Sequence, residues 1–543
     1  MYNKTEFVYP ERIIAVNGTV NGVDNLLKNK DVIASFDDAS LAELKNSQGG
    51  RAWLVLDFGR EICGGIRLVT RLVKGITANV RLVFGESVSE TLSEIGEKGA
   101  TNHHSPRDFV VPVSNMSALE YGRTGFRFVK IELLGEDAEI GLKSAAAVCS
   151  LPVSERKGKI VTDDKLINEI LETAVYTCAL NMQDGYFLDG IKRDRLVWSG
   201  DMYSEIKTAF YSFGETEHIR RSLDLVRDTT PNGFWMNNIP SYDAWWVINV
   251  CAYYKLSGNS AYFAENLGKM NAILKELDAC TEKGGEMNFG KTGKKLGMHE
   301  FFLDWPTDGT KDAVSGTALL ILCAAQKLKE CAGSAADGAT ISSLNRKLSR
   351  YLTEKTAAKQ IAAFQVFCGT TTDRQKTLLE RGGASGFSTF MSYFILKALS
   401  ATGCDRTTEI IKEYYGGMLS RGATTFWEDF DISWLDGSGR IDEIPDPEKK
   451  DLHADYGRFC YKGLRHSLCH GWSSGVVPFF IEETVGLKNL EAGFKKISFN
   501  PKLGNLKFIE AEIPVPNGII EIKADKSGVG VRVPKGTEII KNC

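Results

Sequence analysis

The chain has 543 residues, 43% hydrophobic and 25% charged, with a net charge of −3. Its length exceeds one simple core and sets a prior of about three to four domains. The near balance of charge excludes the basic face that nucleic-acid binding needs. No apolar run reaches the ~20 residues of a membrane span, so neither a nucleic acid nor a membrane is an expected partner.

In chain order, the N-terminus "MYNKTEFVYPERIIAV" is polar and lacks a signal-peptide core, which gives the expectation of a cytoplasmic protein. Residues 1–155 read as strands between Gly and Asp/Asn turns: "AWLVLDFG", "GGIRLVTRLV", "ANVRLVFGES", "FRFVKIELLG". Their period-two alternation predicts an N-terminal β-sandwich. From about residue 160 the period becomes helical. "TDDKLINEILETAVYTCALNM" opens on Thr162 as its cap, and helices are predicted near 202–213, 216–228, 243–257, 260–282, 312–332, 341–356, 388–402, 406–418 and 473–485. So many helices without intervening strands exclude a Rossmann sheet or a TIM barrel. A bundle, a solenoid or an (α/α) toroid remains, and no fixed 34- or 40-residue period supports the solenoid. Strand texture returns in "GIIEIKAD" and "GVGVRVPKG", so 156–488 is the helical domain and 489–543 a small C-terminal β-domain.

The twelve cysteines are scattered singly, without a CxxC pair, and the seven histidines make no HExxH spacing. Buried free thiols in a reducing compartment are expected, and no metal or cofactor is called for.

Eight of the nine tryptophans lie in the helical region, several beside acids: Asp243 near Trp245 and Trp246, Asp304 before Trp305, Trp427 before Glu428. Each alone reads as core. Together, aromatic platforms with carboxylates suit a carbohydrate, whose C–H face stacks on an indole while its hydroxyls meet charged groups. In "DGIKRDRLVWSGDMYSE", Asp194, Trp198, Asp201 and Glu205 would share a face of a continuous helix, but Gly200 argues against continuity. Asp201 as the cap of a helix from Met202 and Asp194 paired with Arg193 or Arg195 is the plainer reading. Two carboxylates on separate loops of one cleft are the minimum machinery for glycoside hydrolysis, and "GATTFWEDFD" supplies Glu428 as the second.

The order of regions, with "DGIKRDRLVWSGD", "GATTFWEDFD" and "SLCHGWSSG", resembles the bacterial α-L-rhamnosidases of glycoside hydrolase family 78. "LDFGREICGGIRL", "VRLVFGESVSE" and "RTGFRFVKIELLG" are similar to that family's auxiliary β-domain. The resemblance implies an (α/α)6 six-hairpin catalytic domain between an N-terminal β-sandwich and a small C-terminal β-sandwich. It implies an inverting α-L-rhamnosidase, with Asp194 as general acid and Glu428 as general base, releasing terminal L-rhamnose. It places Asp189, Arg193, Trp198, Asp201 and His470 on the sugar. Asp243, Trp245, Trp246, Asp304, Trp305 and Trp427 are further candidates for the pocket wall. Two positions depart from the family pattern: Asp194 stands where Glu is usual, and Cys469 where Asn precedes the histidine. A six-hairpin glycosidase for another sugar, and a catalytically silent carbohydrate-binding homologue, stay open as readings, as does assembly into a homo-oligomer. His103 and His104 are assigned to a turn or interface, and "DPEKKD" to a solvated loop.

Overall fold

The computed structural model describes residues 2–36, 40–47, 49–297, 299–459 and 462–540. In the N-terminal region these are β1 (Asn3–Val8), β2 (Arg12–Asn17), β3 (Thr19–Asn21), β4 (Ala42–Lys45), β5 (Trp53–Val73), β6 (Thr77–Gly85), β7 (Asp108–Ser114), β8 (Ser117–Leu133) and β9 (Glu139–Pro152). All nine join one antiparallel sheet, ordered β3-β4-β9-β5-β8-β6-β7, with β1 on β9 and β2 on β5. The two separate strands expected within 52–73 are the single strand β5, whose register against β8 breaks at Asp57/Ile62 and Gly64/Ile66. Such breaks bend a strand. Gly64 is required there, because a Cβ would lie 1.8 Å from Val148 O. Leu54 and Leu56 enter the main core, whereas Val55 between them joins Val88 and Phe128 in a small cluster. The period-two reading therefore has a direct counterpart in packing.

Twelve helices follow among the described residues. They are α1 (Lys165–Asn181), α2 (Met202–Phe213), α3 (Glu217–Thr229), α4 (Pro240–Ser257), α5 (Ser260–Ala279) and α6 (Lys311–Ala332). The second half comprises α7 (Gly338–Leu348), α8 (Lys359–Phe367), α9 (Asp373–Glu380), α10 (Ser392–Ala401), α11 (Thr407–Ser420) and α12 (Val476–Phe479). Even-numbered helices touch in a closed succession, α2-α4-α6-α8-α10-α12 and back to α2, and the odd-numbered ones pack outside them. Burial explains the sorting. All twelve residues of α2 are buried, whereas α3 buries only His218, Ile219, Ser222, Leu223 and Val226. A helix apolar on every side belongs inside, and an amphipathic one belongs outside. Sequence periodicity missed α8 and α9: "KQIAAFQVF" is buried too evenly to show a stripe, and α9 has eight residues. The cap of α1 is Asp164, which accepts from Leu166 N and Ile167 N, not Thr162.

Thr162 ends β10 (Lys159–Thr162), which precedes α1 yet pairs with the C-terminal region. After a two-residue hairpin, β11 (Met182–Gln183) with β12 (Tyr186–Phe187), the remaining strands are β13 (Leu487–Glu491), β14 (Lys496–Phe499), β15 (Phe508–Val515), β16 (Gly518–Asp525), β17 (Gly528–Arg532) and β18 (Glu538–Ile539). They form a sheet β10-β15-β16-β17 and a sheet β13-β14-β18. Ile509, Ile513 and Ile520 share one continuous core with the helices. The ten cysteines among the described residues are free thiols. Among those residues no helix is long and apolar enough to cross a membrane.

Candidate active site

The stretch 188–200 between β12 and α2 is a loop, fastened residue by residue. Asp189 closes it on itself: its N–H donates to Leu196 O (3.0 Å), and its Oδ1 accepts from Leu196 N (2.9 Å). Ile191, fully buried, inserts into the core of the N-terminal sheet. The three cations of "KRDR" separate. Lys192 Nζ is buried against Glu86 (3.0 Å) and Glu90 (3.2 Å) of the sheet region. Arg195 donates to Arg123 O (2.7 Å). Arg193 turns inward, its Nη1 bonding Asp194 Oδ2 (3.0 Å) and its Nη2 paired with Glu428 Oε1. Asp194 and Arg195 both take left-handed backbone conformations, φ 58° and 55°, which non-glycine residues seldom adopt. Asp201 is the first residue before α2, but its side chain makes no capping bond. The capping expectation is corrected: Asp201 itself has helical φ and ψ, and a cap side chain needs an extended backbone to reach back.

Glu428 lies on the opposite wall. Its N–H donates to Ser467 O (2.9 Å), its Oε2 accepts from Ser467 N (3.1 Å), and its carbonyl accepts from Thr389 Oγ1 (2.6 Å) and Trp472 Nε1 (3.0 Å). His470 is joined to Gly190 by a β-bridge, and its Nε2 stands 4.0 Å from both Asp201 Oδ1 and Glu428 Oε1. A Cβ on Gly471 would fall 1.7 Å from Glu205 Oε1, so only glycine lets this turn approach α2.

These groups line a cavity of about 290 Å³. Of the residues expected from sequence, Asp189, Arg193, Asp194, Trp198, Asp201, Trp305, Glu428 and His470 line it. The others do not. Trp245 and Trp246 are fully buried: Trp245 packs against Tyr203 and Phe364, and the Trp246 indole donates to Leu223 O. Trp427 is buried against Phe430, and Asp243 accepts from Met236 N (2.7 Å). Asp304 caps the turn carrying Trp305 and accepts from Ser388 Oγ. These five lie behind the walls: Asp243, Trp245 and Trp246 belong to the first turns of α4, buried on every side, and Asp304 and Trp427 are buried in the connections. Sequence reasoning missed His104, Tyr242, His299, Phe302, Arg465 and Trp472, which also line the cavity. His104 carried a signal in the pair "HH", but nothing local tied the N-terminal sheet to a site ninety residues on. Trp198 meets Tyr242 edge-on at 6.1 Å, and Trp472 lies 4.1 Å from the His470 ring, giving aromatic surface on two sides.

Burial pushes the carboxyls of Asp189, Asp201 and Glu205 well above the usual range, with neighbouring acids adding to it. Glu428 is raised by burial too, opposed by Arg193 and the Ser467 N–H. His470 is pushed well below its ordinary value by burial and then by Arg193. Buried acids that hold their protons and a buried neutral imidazole form a field of hydroxyl-binding donors and acceptors. Elsewhere, Glu86, Glu90 and His453 converge within 4.8 Å. Lys192 already supplies the cation there, and both His453 nitrogens are engaged, by Ser87 Oγ and His466 O, so the trio is a buried ion-pair network.

Residues 155–379 match the family model of the bacterial alpha-L-rhamnosidase 6 hairpin glycosidase domain. The match covers less than half of the chain and includes the motif "DGIKRDRLVWSGD". Among solved structures, the fold is that of the glycoside hydrolase family 78 rhamnosidase of Bacillus sp. GL1 (TM-score 0.73, 22% identity, covering 95% of this chain and 55% of that one). A rhamnosidase from Klebsiella oxytoca with rhamnose bound gives TM-score 0.66 at 18% identity, covering 89% of this chain and 96% of that one. The α-L-rhamnosidase of Dictyoglumus thermophilum gives 0.66 at 18%, over 92% and 58%. The chain thus spans little more than half of the Bacillus and Dictyoglumus proteins and nearly all of the Klebsiella one. No curated protein matches the sequence.

Proposed function

We propose that this protein is an inverting glycoside hydrolase that releases terminal L-rhamnose from an α-L-rhamnoside, its ring of helices being an (α/α)6 toroid. One observation carries the reading: a single guanidinium, that of Arg193, binds Asp194 at one end and Glu428 at the other, inside an aromatic-lined cavity. Two hydrogen bonds and the width of a guanidinium keep the carboxyl groups within about 10 Å, compatible with the spacing that leaves room for a water in inverting enzymes. Glu428, ion-paired with Arg193 and hydrogen-bonded by Ser467 N, is the base: it takes a proton from water as that water attacks the anomeric carbon. Asp194, nearer the mouth, gives its proton to the leaving oxygen. Asp189, Asp201 and His470 bind ring hydroxyls, and Trp198, Trp305 and Trp472 offer faces for the apolar side of the sugar.

The test is turnover of aryl α-L-rhamnoside beside a panel of other aryl glycosides, with D194N and E428Q in parallel and the first-formed anomer read by proton NMR. We expect rhamnoside cleavage with inversion, reduced about 10²–10⁴-fold in each variant. Cleavage of a different glycoside alone would reassign the sugar. Binding without turnover on every substrate would make the protein a carbohydrate-binding homologue and end the hydrolase reading.

A further inference from the structure

His104 belongs to the N-terminal sheet region, yet its Nε2 stands 3.2 Å from Asp194 Oδ1 at the edge of the cavity. The contact is built. Ser105 Oγ and Arg195 Nη1 both donate to the carbonyl of Arg123, at 3.0 and 2.7 Å, so the residues following His104 and Asp194 are fastened to the same atom. Ser105 is buried, and His104, Asp194 and Arg195 all take left-handed backbone conformations, φ 72°, 58° and 55°. Such conformations persist where surrounding contacts enforce them.

The two oxygens of Asp194 are unlike. Oδ2 accepts from Arg193, a group that only donates. A proton on this carboxyl must therefore sit on Oδ1, the oxygen that faces the imidazole. We propose that His104 is a positioning residue for the proposed hydrolysis, sharing with Asp194 Oδ1 the one proton that the leaving oxygen receives. The inference rests on the assignment of Asp194 as general acid. In the step, the bond from the anomeric carbon to the leaving oxygen breaks and its electron pair stays on that oxygen, which takes the proton from the Asp194–His104 pair. Water forms the new bond to the anomeric carbon and loses a proton to Glu428. Asp194 is left ionised beside neutral His104. The imidazole, a quarter exposed, takes the next proton from solvent. Burial lowers the His104 pKa; of the charged and titratable groups facing it, Asp194 favours its protonated form, and His103, Arg193 and Arg465 oppose it.

The experiment compares His104→Gln, which keeps a donor but cannot carry a proton, with His104→Ala and the intact protein. Each is assayed on phenyl and 2,4-dinitrophenyl α-L-rhamnoside across pH, after thermal melts confirm folding. The expected result is a loss of about tenfold or more in kcat on the phenyl substrate in both variants, a moved alkaline limb, and a change under about threefold on the dinitrophenyl substrate, which departs without a proton. Equal losses on both substrates, or an unmoved pH profile, would show a merely structural contact and overturn the proposal. If D194N is inactive while both His104 variants match the intact protein, this inference alone falls. If the intact protein cleaves no rhamnoside, the functional reading falls and takes this one with it.

Discussion

Arg193 binds Asp194 through Nη1 and Glu428 through Nη2, so one planar cation orients two acids. A lysine is a point charge and cannot reproduce that fork. We expect R193K to lower kcat on aryl rhamnoside about 10²-fold or more. We also expect it to lower stability, since breaking a buried pair costs about 3–5 kcal/mol; steady-state kinetics and urea denaturation check the two parts. The pH dependence belongs to the same residues. A base works ionised, and burial raises Glu428 above an ordinary glutamate, so the acid limb of kcat/KM should lie above pH 4.5. A limb at or below that value would contradict the assignment. At this scale the sequence was informative about residue types and poor on directions. The motif presented Asp189, Arg193, Asp194, Trp198 and Asp201 together, and all five line the cavity. Trp245 and Trp246 looked equally suited, but whether an indole faces a cavity or a core depends on helix rotation, which neighbouring residues do not encode.

The 188–200 loop shows how an element without regular structure is made rigid. Lys192 Nζ bonds two carboxylates of the sheet region and the carbonyls of Leu464 (3.1 Å) and His466 (2.5 Å) from the opposite wall. K192M would leave Glu86 buried without its cation and Glu90 with only the more distant Arg107 (3.8 Å). We expect it to cost about 3–5 kcal/mol in denaturant titration and to depress kcat together with stability. Gly200 adds a steric constraint: a Cβ there would lie 2.7 Å from the Tyr242 ring, so G200A should displace Tyr242 and raise KM for rhamnoside. Helix boundaries such as 202–213 could be read from periodicity because the chain marks them with acids and glycines. Helices α8 and α9 could not, the first for want of a polar face and the second for want of length.

For the whole molecule, β10 places residues 159–162 in a sheet completed some 350 residues later, a pairing invisible to local pattern. The helices and the C-terminal strands share one core, so a chain truncated after residue 505 should lose cooperative unfolding rather than leave a stable helical domain; circular dichroism melts test this. Stability should also depend on pH through two opposing contributions. Burial raises Asp304 to about 7, so its contribution is whole below the unfolded carboxylate value and is lost as pH rises through about 7. His453, His466 and His470 are lowered, so theirs is present above pH 6.5 and is lost as pH falls. Calorimetry from pH 4 to 9 should show these two contributions opposing each other below about pH 7 and neither sloping above it, with D304N removing the part that falls as pH rises toward 7.

The alternation of inner and outer helices has one more consequence. The cavity is lined by the residues that open α2 and α4 and that precede α6 and α12, whereas Lys255 and Lys327 near the ends of α4 and α6, and Lys207 and Lys397 midway along α2 and α10, line a second hollow. α2, α4 and α6 therefore present their N-terminal ends toward the cavity, and their dipoles add there. Each contributes about half a positive charge, roughly one and a half charges from the three helices. The acids of the site gather at that positive pole, and this standing field helps a crowd of buried carboxyls to share one small hollow.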